Sequence, residues 1–167
     1  MQSESRDIRK RIVRDAYPPQ LESGTSTLDI PAIATVIITS EDSTHPIESI
    51  FDGQRGPGSS RWRAATPGQQ CIMLDFDTPQ TLHQLMLDIE EAEVSRTQVL
   101  WISVSSDGGH NYREIIRQEY NFSPPGTTYE RETWTLDIVH VTHLAIVIVP
   151  DKSNQPAHAS VTSLILT

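Results

Sequence analysis

A single cysteine, Cys71, stands among the 167 residues, so no disulfide can form within the chain. Small secreted domains often lean on such bridges, and the count favours a reducing compartment. Positive charge is scarce as well: 13 Lys and Arg against 22 Asp and Glu leave a formal net charge of -9. A general nucleic-acid binder needs a basic footprint, which this balance does not supply. The basic residues gather at the start, where Arg6, Arg9, Lys10, Arg11 and Arg14 outnumber Glu4, Asp7 and Asp15. The remainder is the more acidic for it, which suits a sugar or a cationic partner better than a phosphate backbone. Long apolar runs are missing too, and none approaches the ~18–20 residues that span a bilayer. The first residues are charged throughout and hold no apolar core of a secretory leader. The expectation is a cytoplasmic protein, or a secreted one whose leader has been removed.

What remains is enough for one domain with a sizeable core. Residues 1–27 read as an extension and linker: a short helix over Ser5–Ala16, with Ile8, Ile12 and Val13 along one side, or an extended arm, stopped by Pro18 and Pro19. From Leu28 to Thr167 the signal is β. Ile33–Ser40 is rich in β-branched residues. Ile72, Leu74 and Phe76 alternate with Cys71, Met73 and Asp75, the period-2 mark of a half-buried strand. Leu85, Leu87 and Ile89 repeat the pattern, as do Leu100, Ile102 and Val104, then Leu144, Ile146 and Ile148. Val141–Val149 is apolar on both faces, as in a central strand, and a last strand fits Ser160–Leu166. Asp107-Gly108-Gly109 is a hairpin cue, since glycine takes positive φ without steric cost. Thr66-Pro67-Gly68, Pro124-Pro125-Gly126 and Pro150-Asp151 break the other runs. Many strands at short spacing, with no helical stripe between them, predict an antiparallel sandwich or barrel.

Six segments occur in an order that resembles the discoidin domain, the coagulation factor 5/8 type C domain. Phe51-Asp52-Gly53 and Arg61-Trp62 resemble that family's Asp-Gly turn and following Trp. Gln70–Asp77 resembles the strand after it, and Thr78-Pro79-Gln80-Thr81-Leu82 a short connecting loop. Ile102 to Gly109 with Tyr112 is similar to its hairpin, and His143–Val149 with Val161–Leu166 to its closing strands. The resemblance implies an all-β, antiparallel jelly-roll β-sandwich of the galactose-binding-domain-like type, whose ligand loops cluster at one end. Here those loops would be Glu41–Pro46, Gln54–Arg61 and Glu90–Thr97. It also implies a structural calcium near the Asp-Gly turn. Asp52 is present as a weak candidate ligand, but Gln54 and Ser163 stand where further carboxylates would serve. Calcium prefers about 6–8 oxygen ligands with anionic help, so no metal and no other cofactor is expected.

The loops hold the candidate chemistry. Glu41 and His45 share the first loop and could exchange hydrogen bonds with sugar hydroxyls; an acidic surface turn is the plainer reading. Arg61 and Arg63 offer rigid donor forks that suit vicinal hydroxyls or a carboxylate, while Trp62 between them reads as core. In the third loop Arg96 is a donor candidate with a glutamate such as Glu93 to orient it; a solvated charge run is the alternative. Tyr120-Asn121-Phe122 offers Tyr120 for sugar stacking, or else an anchor for a long loop. Trp101 lies on the strand face opposite Leu100 and Ile102.

Catalytic patterns are missing. No Gly-x-Ser-x-Gly elbow is present, and Gly53–Gly58 lacks the Lys and helix of a phosphate loop. His140 and His143 would point to opposite faces of a strand, which disfavours a shared zinc. The expectation is a non-catalytic module that binds carbohydrate through loops at one end of the sandwich. The alternative is an intracellular protein-interaction module or a subunit of a larger complex.

Overall fold

The computed structural model describes residues 26–167, so the helix expected over Ser5–Ala16 lies outside the described residues. Near the start of the described residues the Leu28 amide donates to the Leu166 carbonyl at 2.8 Å and ties this segment to the last strand. One helical turn, α1 (Ile30–Ile33), with a proline in its first turn, leads into β1 (Ala34–Ile38). A 3-10 turn (Ile47–Phe51) and a short β2 (Trp62–Arg63) follow. Then come β3 (Gln70–Glu90), β4 (Arg96–Ser105), β5 (Arg113–Phe122), β6 (Tyr129–Val149), β7 (Ser160–Val161) and β8 (Ser163–Leu166).

Every strand pair among the described residues is antiparallel. The main sheet runs β1-β3-β6-β4-β5, with β8 on β3 and a separate β2-β7 ribbon. The two long strands serve both layers. In its first half β3 pairs with β1 and with the second half of β6, from Gln70↔Ile148 to Asp75↔His143. In its second half it pairs with β8 and with the first half of β6, from Gln84↔Thr135 to Glu90↔Tyr129. Register shifts fall between these halves, and Asp137 and His140 take positive φ on the β6 side. Strands that change layer do so at such irregularities. The residues Thr78–Leu82, expected to be a loop between two strands, are thus the irregular middle of one. Pro79 cannot donate to the ladder, which is why the sequence reads as a break there.

The alternation read from the sequence decides which side chains enter the core. Ile72, Leu74, Leu85, Leu87, Leu100, Ile102, Leu144, Ile146 and Ile148 are all buried between the layers. Fully burying a side chain of this size contributes roughly 1.5–3 kcal/mol. Trp62 is completely buried, and its Nε1 donates to the Ser40 carbonyl at 3.1 Å. Trp101 lies on the opposite face of β4, half-buried, with the Arg117 guanidinium 4.8 Å above its ring.

The Asp107-Gly108-Gly109 turn joins β4 to β5, with φ of 75° and 83° at its glycines. The Asn111 side chain and amide and the Ser105 hydroxyl donate to the Asp107 carboxylate, and hold it well below the usual carboxylate range.

Candidate functional site

The loops after β1, before β2, between β3 and β4, and between β6 and β7 meet around a cleft of about 420 Å³. His45, Arg61, Arg63, Glu90, Glu91, Glu93 and His158 give it its charged and imidazole groups, and Ala92, Val94, Pro156 and Ala157 its apolar wall. Among the described residues no Phe, Tyr or Trp lines it.

Each wall is held by a short-range device. In the first loop the Thr44 amide and hydroxyl donate to Asp42 at 3.0 and 2.9 Å, which lowers the Asp42 pKa and closes a tight turn. His45 Nδ1 lies 3.3 Å from Asp42, leaving Nε2 with no protein partner among the described residues. Backbone bonds lock this loop to β2: Asp42 N donates to the Arg63 carbonyl at 2.8 Å and Arg63 N to the His45 carbonyl at 3.1 Å. Opposite, His158 Nδ1 lies 2.9 Å from the Ala64 carbonyl. A carbonyl only accepts, so Nδ1 carries the proton, and in the neutral ring Nε2 is an acceptor.

The acids of the third loop divide by partner. Glu90 is buried; its Oε2 accepts from the Gly58 amide and from Arg61 Nη2, each at 2.9 Å. Glu91 accepts from Arg96 Nε at 2.8 Å. Among the described residues the Glu93 carboxylate and the Arg63 guanidinium have no hydrogen-bonding or ionic partner. The cleft therefore presents one open cation, one open anion and two imidazoles. Glu90 and Glu91 are each engaged by a guanidinium.

Of the residues expected to contact a ligand, the cleft gathers His45, Arg61, Arg63 and Glu93, and it leaves out three. Glu41 turns inward, its Oε2 accepting the Ile47 amide at 2.7 Å at the start of the 3-10 turn. Arg96 has 1% of its side chain exposed. Its donors go to Glu91, Gln98 Oε1 at 2.8 Å and the Pro150 carbonyl at 2.6 Å, and it stacks on Phe122. Tyr120 is buried beside Phe122, and burial raises its phenol pKa, so it offers no face to a sugar. His158 and its loop went unread, because a lone histidine among Asn, Gln, Pro and Ala carries no periodic signal.

Compared with known proteins, the F5/8 type C domain pattern matches residues 34–163. The chain belongs to that family. None of the curated proteins compared matches it. Among solved structures, the CBM32 of AlyQ in complex with 4,5-unsaturated mannuronic acid is 23% identical, with a TM-score of 0.60, covering 86% of this chain and 98% of its own. CBM32-3 of a family 31 glycoside hydrolase from Clostridium perfringens is 16% identical, with a TM-score of 0.61 and coverage of 84% and 93%. The family 32 module of C. perfringens NanJ, in complex with galactose, is 14% identical, with a TM-score of 0.58 and coverage of 84% and 96%. These likenesses establish the fold, a galactose-binding-like antiparallel sandwich.

The residues of this F5/8 type C domain do not fit a calcium site at the Asp-Gly turn. Asp52 spends its carboxylate on the Gln54 amide at 2.8 Å and on the Ser60 hydroxyl. Ser163 brings no carboxylate. Among the described residues no group of three or more His, Cys, Asp or Glu could hold a metal ion. A second concavity of about 590 Å³ lies beside the cleft, lined by Thr97, Asn121, Asp151, Lys152 and Ser153 among others. Its polar groups are largely paired with protein: Thr97 with Asn121, Ser153 with Asp151 and Lys152 with Glu119.

Proposed function

We propose that this F5/8 type C domain, residues 28–167, is a non-catalytic module that binds carbohydrate in the cleft between its loops. The carrying observation is the convergence of the Arg63 guanidinium, the Glu93 carboxylate and the Nε2 atoms of His45 and His158, none engaged among the described residues, on a cavity within the range of small-ligand sites. Arg63 donates in a fork that matches vicinal hydroxyls, and the two free Nε2 atoms and Glu93 supply directed partners for the rest of a ring. Arg61, fixed by Glu90, shapes the floor beside them. The sugar complexes of the CBM32 relatives support this choice of ligand class. Catalysis is disfavoured because the acids nearest each other, Glu90 and Glu91, are both engaged by arginine. On the outer sheet face the half-buried Trp101 is already stacked against the Arg117 guanidinium, 4.8 Å from its ring.

With no aromatic platform among the described residues of the cleft, affinity comes mainly from hydrogen bonds beside a small apolar wall, and the binding is weak. A glycan array followed by calorimetry tests this. At least one neutral or acidic glycan binds at millimolar concentration, and Arg63→Ala weakens it by about tenfold or more, the value of a lost charged hydrogen bond. No binding to any glycan on a broad array at that concentration would sink the reading.

A further inference from the structure

The loop between Asp52 and Arg61 is fastened to the sandwich at four points. Arg55 Nη2 and Nε donate to Asp88 at 2.5 and 3.1 Å, the two-pronged geometry in which guanidinium holds carboxylate best. The Gly56 amide donates to the Tyr129 hydroxyl at 2.9 Å, and that hydroxyl in turn donates to Asp88. The Gly58 amide and Arg61 both reach Glu90. Gly56 and Gly58 have φ of 106° and 81°, a backbone other residues rarely adopt, which helps set the course of the loop between its fastenings. Asp88 is wholly buried in β3. Arg131 Nε adds a further donor to it at 3.1 Å from a half-exposed side chain.

The charges of this cluster leave no place for a metal. Asp88 and Glu90 are the carboxylates, and Arg55, Arg61 and Arg131 the guanidiniums, so the described ionic groups already carry one excess positive charge. A divalent ion beside Asp88 would stand against Arg55 and Arg131. The residue opposite Asp88 in the β8 register is Ser163, with no charge to offset such an ion. Burial pushes the Asp88 carboxyl up, but donation from Arg55, Tyr129 and Arg131 outweighs it and holds the pKa below the ordinary value.

We propose that Arg55 is a tethered cation that fixes the Asp52–Arg61 loop in the role a calcium ion would otherwise have, making the conformation of this domain independent of divalent metal. The inference stands apart from the identity of the ligand, and it assigns Arg55 a positioning role only. The test is thermal unfolding and amide exchange of the full chain in millimolar calcium chloride, in excess EDTA and in neither. The melting temperature and the exchange of residues 54–60 are the same in all three. Arg55→Gln lowers the melting temperature by several degrees and speeds exchange at 54–60 by on the order of tenfold. Arg131→Gln, at a half-exposed position, changes both much less. Should Arg55→Gln fail to fold, Arg55→Lys keeps the charge without the fork and shows a smaller loss of protection. Calcium raising the wild-type melting temperature, EDTA lowering it, or unchanged loop protection in the Arg55 variants would overturn the proposal. None of these results bears on glycan binding, which is measured separately.

Discussion

Arg96 and Arg63 border neighbouring concavities at one end of the sandwich, and they are opposites. Every contact of the Arg96 guanidinium is internal: a glutamate, a glutamine, a backbone carbonyl and an aromatic ring. Arg63 is exposed, and its guanidinium makes no such contact among the described residues. The residue type is the same, and each stands at the end of a strand. What separates a structural arginine from one available to a ligand is whether the protein has already satisfied its donors. A buried guanidinium must be satisfied, because leaving it unpaired costs several kcal/mol. An exposed one loses nothing by waiting for a ligand in water.

The comparison is broken most directly at Arg96. Arg96→Ala strands Glu91, Gln98 and the Pro150 carbonyl, and we expect a loss of about 3–5 kcal/mol in urea unfolding. A loss below ~1 kcal/mol would mean that the clamp adds little. Acid titration comes next. Asp88 has a folded pKa below its ordinary 3.8, so its contribution to stability is full above that value and fades as the pH falls through the lowered one. The unfolding free energy should therefore hold level down to about pH 5 and drop below pH 4. A drop that begins well above pH 5 would contradict this assignment to Asp88. Glu91→Gln keeps a hydrogen-bond acceptor for Arg96 but removes the charge, and about 1–2 kcal/mol should be lost. At the small end, Arg63→Ala changes stability by less than about 0.5 kcal/mol, as surface substitutions do. Its effect appears only in ligand binding, and a destabilisation as large as that of Arg96→Ala would erase the contrast.

The fold was largely legible because alternation is a direct imprint of burial: Ile72, Leu74, Leu100, Ile102 and Ile146 point inward as their spacing requires. Strand β5 and the first half of β6 escaped the sequence pattern. In β5, Arg113, Glu114, Arg117 and Glu119 spend their side chains in water at a sheet edge, so the polar sequence hides the ladder. In the first half of β6, Trp134, Leu136 and Ile138 alternate inward but are only partly buried, a weaker version of the same signal. The candidate site was half legible. Loop position and residue type pointed to His45, Arg61, Arg63 and Glu93, but hydrogen-bond partners distant in sequence decide between Arg63 and Arg96, and these emerge only on folding. Asp88 did leave a trace, as the one charge inside Leu85-Met86-Leu87-Asp88-Ile89, where an acid must have a buried partner.

The long strand β3 touches the cleft's supports at both of its ends. At one, Gln70 Oε1 accepts the hydroxyls of Thr39 and Ser40, at the root of the loop that carries His45. At the other, Glu90 grips Gly58 and Arg61. A partly folded chain that has built either half of β3 alone would lack one wall of the cleft. On the function proposed above, ligand capture becomes a conformational assay for this domain: a chain that retains its ligand has the whole of β3 laid down across both layers.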